Sequence, residues 1–134
     1  MTYQYLLDTN IISDLVKNPQ GLIFQRIETV GENKIRTSII VACELQFGAT
    51  KSGSSRLARQ LDSILGVLPI LPLESSATPH YATIRNHLEQ KGTPIGPNDL
   101  LIAAHALALN LTLVTANVRE FNRVPNLNVE NWLL

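Results

Sequence analysis

The chain has 134 residues, 45% hydrophobic and 16% charged, and its 11 basic and 11 acidic side chains cancel. That length suits one domain with a real core, and zero net charge excludes a uniformly basic nucleic-acid binder, so any nucleic-acid surface has to be a local patch. No apolar run reaches the roughly 18 residues of a membrane span, no basic-then-apolar leader points to export, and the single Cys43 cannot form an internal disulfide, which fits a reducing cytoplasm.

Residues 3–7 read as a first strand, and Ile11, Ile12, Leu15 and Val16 then recur at helical spacing. Asn18-Pro19 ends that helix. Leu22, Ile23, Ile27 and Val30 mark a second helix over residues 20–30, Gly31-Glu32-Asn33 a turn, and residues 34–37 a second strand. Ser38 is placed to cap a helix over 39–50. Leu57, Leu61, Ile64 and Leu65 give the inner face of the next helix, with Gly66 as its stop. Residues 67–71 suggest a third strand, at a sheet edge because Pro69 lacks a donor. Thr78-Pro79 reads as a cap and first helical residue; Tyr81, Ile84 and Leu88 face inward, and Gly92 closes that helix. Asn98 is the expected cap of a helix reaching about Leu109. Residues 111–115 form a fourth strand, and 128–130 a weak fifth before Trp132.

Strands alternating with helices predict a three-layer α/β/α sandwich around a mostly parallel sheet of four to five strands, in a single domain spanning 1–134. Right-handed crossovers then fix which ends meet. Asp8 falls at the carboxyl end of strand one, and Thr115 and Asn117 at the carboxyl end of strand four. Asp99 opens the helix leading into strand four, and Glu44 lies about two turns into the helix leaving strand two. All are expected at one edge, where open α/β sheets place their sites.

Each of these residues has an ordinary use. Asp8 is able to cap the helix after it, and Asp99 complements a helix dipole. Thr115 and Asn117 suit a turn. Glu44 has no capping task, though a basic partner would account for it. Together, three carboxylates beside apolar runs are costly unless a cation neutralises them, and an oxygen-only set favours Mg²⁺, or Mn²⁺ in its place, over Zn²⁺. His80, His87 and His105 lack zinc spacing and read as helix-surface or core residues, and Cys43 as a small buried side chain.

Leu6-Leu7-Asp8-Thr9-Asn10 resembles the opening of PIN-domain nucleases, and residues 43–48 their second acidic motif. The stretch 94–106, containing Pro97-Asn98-Asp99, resembles the third; residues 113–121 with Val124-Pro125 resemble the fourth. All four run in order and spacing, and are most similar to the VapC toxins of bacterial toxin–antitoxin pairs. The resemblance implies a Mg²⁺-dependent endoribonuclease, a homodimer, inhibited by a VapB antitoxin whose basic side chain meets Asp8 and Asp99. Many relatives carry aspartate where this chain has Asn117. Glu120, three residues on, is able to compensate, but reads first as an exposed carboxylate.

For phosphodiester hydrolysis, Asp8, Glu44 and Asp99 would hold the metal, partly through water, with Asp8 or Asp99 orienting the attacking water. Thr115 and Asn117 would bond a metal water or a phosphate oxygen. Arg119 and Arg123 follow strand four and should flank the acidic edge as RNA contacts, with Lys17 and Arg85 as further cations. The Arg119-Glu120-Phe121 stretch resembles VapC proteins that cut initiator tRNA in the anticodon loop. A dehalogenase-type phosphatase would need an acid at Asn10, and a receiver domain a lysine near strand four or five. The competing reading is a catalytically silent PIN domain that binds RNA or protein. For contact between copies of the chain, residues 57–68 are the candidate stretch.

Overall fold

The computed structural model describes residues 3–134. Five parallel strands form one sheet in the order β3-β2-β1-β4-β5. They are β1 (Tyr5–Leu7), β2 (Ile35–Ser38), β3 (Ile70–Leu71), β4 (Thr112–Val114) and β5 (Val129–Glu130). β1 lies at the centre, in register with Thr37 of β2 and Val114 of β4 at Leu7. Leu6, Leu7, Leu113 and Val114 are fully buried, as continuous apolar strands covered on both faces should be. The edge strands β3 and β5 have two residues each, too short to template pairing with another chain.

The first crossover carries α1 (Thr9–Lys17) and α2 (Leu22–Val30); the second carries α3 (Ile39–Ser52) and α4 (Ser55–Val67). The third carries α5 (Thr78–Gln90) and α6 (Pro97–Ala108), and α7 (Val118–Phe121) precedes β5. Chain order moves one way across the sheet from β1 to β3 and then returns past it to β4. Right-handed connections therefore put α1–α4 on one face and α5–α7 on the other, the sandwich read from sequence. Ile11, Ile12, Leu15 and Val16 turn α1 onto the sheet, while α6 is buried at Leu100, Ile102, Ala103, Ala104 and Ala106.

Beyond shifts of a residue or two at other ends, four features differ from the sequence reading. Gly66 does not stop α4, which runs through Val67 to an extended Leu68. Leu68 precedes Pro69, whose ring disfavours helical backbone in the residue before it. That also shortens the third strand to Ile70–Leu71. α5 begins at Thr78 itself, after a turn of 3₁₀ helix at Ser75–Ala77. Asn98 is not the cap of α6. Pro97 takes the first helical position, which needs no amide donor, Gly96 becomes the cap, and the Asn98 side chain is released for another contact.

At the far side of the sheet the carboxyl-terminal segment closes against β1. Trp132 is 2% exposed and packs edge-on to Tyr5 with ring centroids 5.0 Å apart. Its Nε1 donates to Glu130 Oε1 at 3.0 Å. Arg26 sits 5.3 Å above the Trp132 ring and 3.7 Å from the same Glu130 oxygen. No helix of the described residues is long and apolar enough to cross a membrane.

Candidate active site

The chain leaves the central strand β1 toward β2 on one side, and β4 lies on the other. The crevice at the carboxyl end of β1 is thus the switch point of the sheet. Asp8 occupies it. It is 3% exposed, caps α1 by accepting the Thr9 amide at 2.8 Å, and accepts the Thr115 hydroxyl at 2.8 Å on its other oxygen. Capping and site membership are therefore compatible in Asp8. Burial raises its pKa, against the lowering effect of the bonds from Thr115 and Thr9.

A cleft of about 510 Å³ opens over Asp8, lined also by Thr9, Asn10, Ser13, Asp14, Lys17, Glu44, Asp99 and Asn117. Glu44 reaches it from α3, but as a half-buried residue engaged on both oxygens: the Thr9 hydroxyl donates to one, and Asn98 Nδ2 to the other at 3.3 Å. Asp99 projects from the first turn of α6. Burial, a hydrogen bond to Glu120 and the charges of Glu120, Asp8 and Glu44 push its carboxyl up to about 7.

Glu120 departs from its sequence reading. It is half-buried, not an exposed carboxylate. Its oxygens accept the Asn117 amide group at 2.7 Å and the Gly96 backbone amide at 3.2 Å. Burial pushes its pKa upward, but the bonds from Asp99, Asn117 and Gly96, with the charge of Arg123, hold it below the ordinary range. Within this acidic pair, Asp99 is pushed up and Glu120 is held down. Its setting is tertiary: α7 begins just after Asn117 and brings the Glu120 side chain to the Gly96 amide at the start of α6.

Thr115 has a narrower task than bonding a phosphate oxygen. It is fully buried, gives its only proton to Asp8, and accepts from the Asn117 amide at 3.0 Å and Asn10 Nδ2 at 3.4 Å. Its hydroxyl is committed to holding Asp8. Asn117 is at the cleft, with its side-chain donor on Glu120. Asn10 joins the frame by accepting the Ala116 amide at 2.9 Å. Arg123 lies beside the acidic edge and reaches the Pro94 carbonyl at 3.4 Å, whereas Arg119 is exposed on α7. Arg85 is withdrawn into a pair with Glu89 at 2.6 Å and a bond to Tyr81. Cys43 is exposed, not buried, because the inward face of α3 is taken by Val41, Ala42, Leu45 and Ala49.

Asp8, Glu44 and Asp99 therefore line one crevice, with Glu120 close beside it, mutually repelling, with no salt bridge to any of them among the described residues. No three carboxylate, imidazole or thiol groups of the described residues close into a direct metal cage. Glu44 is turned to Thr9 and Asn98, and Asp99 to Glu120. The donor set still fits a hydrated divalent ion, since Mg²⁺ keeps several waters and is bound through one or two carboxylates plus substrate phosphates.

The family model of the PIN domain matches residues 5–127. The chain is 44% identical to Ribonuclease VapC2 of Rickettsia felis over 130 residues, covering 96% of this chain and 97% of that protein. The chain belongs to the PIN-domain family, among the VapC proteins. A second VapC relative is the tRNA(fMet)-specific endonuclease of Salmonella typhimurium, 35% identical over 130 residues, with 96% and 98% of the two chains covered. Among solved structures, a chain in the crystal structure of VapBC2 from Rickettsia felis bound to a DNA fragment from their promoter superimposes with a TM-score of 0.88 at 42% identity, covering 96% of this chain and 98% of that one. The motif residues Asp8, Glu44, Asp99 and Asn117 of this VapC-family chain are those that line its cleft.

Proposed function

We propose that this protein is a metal-dependent endoribonuclease, the toxin of a toxin–antitoxin pair, inhibited by a VapB-type antitoxin and acting in the cytoplasm as a single-domain subunit of a homodimer. The observation that carries the reading is the crevice at the switch point. It gathers four carboxylates and no paired cation in a chain 44% identical to a ribonuclease. The silent-domain alternative rests on Asn117; Glu120 weakens it by bringing a carboxylate to the same place.

Asp8, Asp99 and, through water, Glu44 would hold Mg²⁺ or Mn²⁺. The ion supplies a water of lowered pKa and neutralises charge growing on the phosphate. The protein's own groups do the rest. Thr115, Thr9 and Asn10 fix Asp8 so that it is ordered before substrate arrives. Without metal the Asp99 carboxyl is pushed up to about 7, so it would give up its proton in order to hold the ion. Glu120 would brace Asn117 and the start of α6 from α7. Lys17 in the cleft lining, with Arg123 and Arg119 beyond it, would meet the RNA backbone as point charges, a salt-sensitive contact. The VapB segment would cover the same crevice and present a basic side chain to Asp8 and Asp99.

The salmonella relative's substrate makes initiator tRNA the first RNA to try. The test is cleavage of that tRNA, a second tRNA and an unstructured RNA by purified protein with Mg²⁺ and with chelator, then with the co-expressed antitoxin. Cleavage that needs metal and stops with the antitoxin is the expected result. RNA binding without cleavage under every metal condition would return the silent-domain reading.

A further inference from the structure

The buried polar side chains of the described residues are Asp8, Thr37, Ser38, His105 and Thr115. Asp8 and Thr115 belong to the cleft. The other three lead away from it. Thr37 Oγ1 donates to the carbonyl of Leu7, the residue before Asp8, at 2.8 Å. Ser38 ends β2 and caps α3, accepting the Ile40 amide at 3.1 Å, and its Oγ lies 2.8 Å from His105 Nδ1 on α6. Strand alternation sends Thr37 and Ser38 to opposite faces. The end of β2 is thereby pinned to β1 on one side and to α6 on the other.

The Ser38 hydroxyl accepts the Ile40 amide and also bonds His105 Nδ1, as donor or acceptor according to the imidazole tautomer. The other ring nitrogen, Nε2, is buried without a hydrogen-bond partner among the described residues. Burial lowers the pKa of His105 and keeps the ring neutral. An incompletely satisfied imidazole is a poor choice for stability alone, since an apolar side chain would fill the place without stranding a polar atom. Its position supplies a better reason. Glu44 stands six residues after Ser38 on α3, and Asp99 six residues before His105 on α6.

We infer that the Ser38–His105 bond is a positioning element of the acidic cleft, setting α3 against α6 and so Glu44 against Asp99, the separation on which cation binding depends. The inference rests on the metal-dependent reading of the cleft. Buried and rigid, this link complements the exposed Asn98–Glu44 bond between the same two helices.

Three variants test it. His105→Leu fills the space and removes the link. His105→Asn keeps a polar atom near the position of Nδ1. Ser38→Ala breaks the link from the other end. Mn²⁺ affinity is read by calorimetry, and RNA cleavage by kcat and KM. His105→Leu should melt no lower than wild type without metal, yet bind Mn²⁺ about 10- to 100-fold more weakly, the usual effect of losing an outer-shell partner. kcat should fall by a similar factor while KM for RNA stays put, and His105→Asn should recover most of both. Ser38→Ala should weaken Mn²⁺ binding to the same degree, and it decides the matter if His105→Leu does not fold. Folded variants that bind Mn²⁺ as wild type does, beside a wild type that binds Mn²⁺ and cuts RNA, overturn this inference and leave the function standing. A wild type that does neither overturns both.

Discussion

Two corners of the sheet treat carboxylates in opposite ways. Beside β5, Glu130 accepts from Trp132 and pairs with Arg26, which itself stacks over the indole. At the carboxyl end of β1, Asp8, Glu44, Asp99 and Glu120 share a crevice with no salt-bridged base. They are held by hydroxyls and amides. The first arrangement is complete without anything from outside. The second holds negative charge in place against its own repulsion, the arrangement on which the proposed cation site rests. Acidic residues alone do not distinguish the corners; the absence of a paired base does.

The largest effects should come from removing charge in the crevice. Asp8→Asn and Asp99→Asn keep shape and capping, since an amide still accepts at a helix start. RNA cleavage should fall on the order of a hundredfold or more in each, with the circular dichroism spectrum unchanged. Wild-type rates in both variants would make the aspartates helix caps and nothing else. Glu120→Gln should cost about tenfold in cleavage rate, because it weakens the acceptor that ties Asn117, Gly96 and Asp99 together. Asn117→Asp replaces the donor to Glu120 with a fifth carboxylate. It should melt lower than wild type in chelator and regain part of the difference in Mg²⁺, a comparison that differential scanning calorimetry makes directly.

The two corners also differ in their response to pH. Asp99 titrates at about 7 in the folded protein, against 3.8 for an ordinary aspartate. Between those values the folded state holds the proton and the unfolded chain does not. Stability on account of Asp99 therefore falls as pH rises from about 4 to about 7. Glu120, held low, acts in the opposite sense, and its contribution is lost only as pH falls below the ordinary glutamate range. Without metal, Asp99→Asn should melt several degrees above wild type at pH 8, by a smaller margin at pH 5, and together with it only near pH 4 and below. The smallest effect belongs to the other corner. Glu130→Gln should cost less than about 1 kcal/mol in urea unfolding, as exposed ion pairs do, and leave cleavage unchanged.

Much of this contrast is legible in the sequence, for physical reasons. Asp8 and Asp99 abut apolar runs, and parallel α/β topology with right-handed crossovers brings such positions to one edge, so their convergence followed from the alternation of strands and helices. The inward faces of the helices followed from apolar periodicity. Glu120 was missed because its importance is tertiary: its partners Gly96 and Asp99 lie more than twenty residues away. Asn98 was misread because Pro97 and Asn98 compete to start one helix, and the proline's fixed backbone wins. Gly66 was misread because a helix tolerates an interior glycine when the next strong signal, Pro69, comes three residues later. The Ser38–His105 link could not be seen at all, since a serine cap and a core histidine each look complete alone.

The central claim is that the crevice carboxylates are a divalent-cation site. It is tested most directly by titrating Mn²⁺ into the wild-type protein by calorimetry in two buffers of different ionisation enthalpy. The account predicts saturable binding, with protons released at pH 6.5, where Asp99 is still largely protonated, and almost none at pH 8.5; Asp8→Asn should abolish the binding signal. No binding by the wild type, or equal binding by Asp8→Asn, would contradict it.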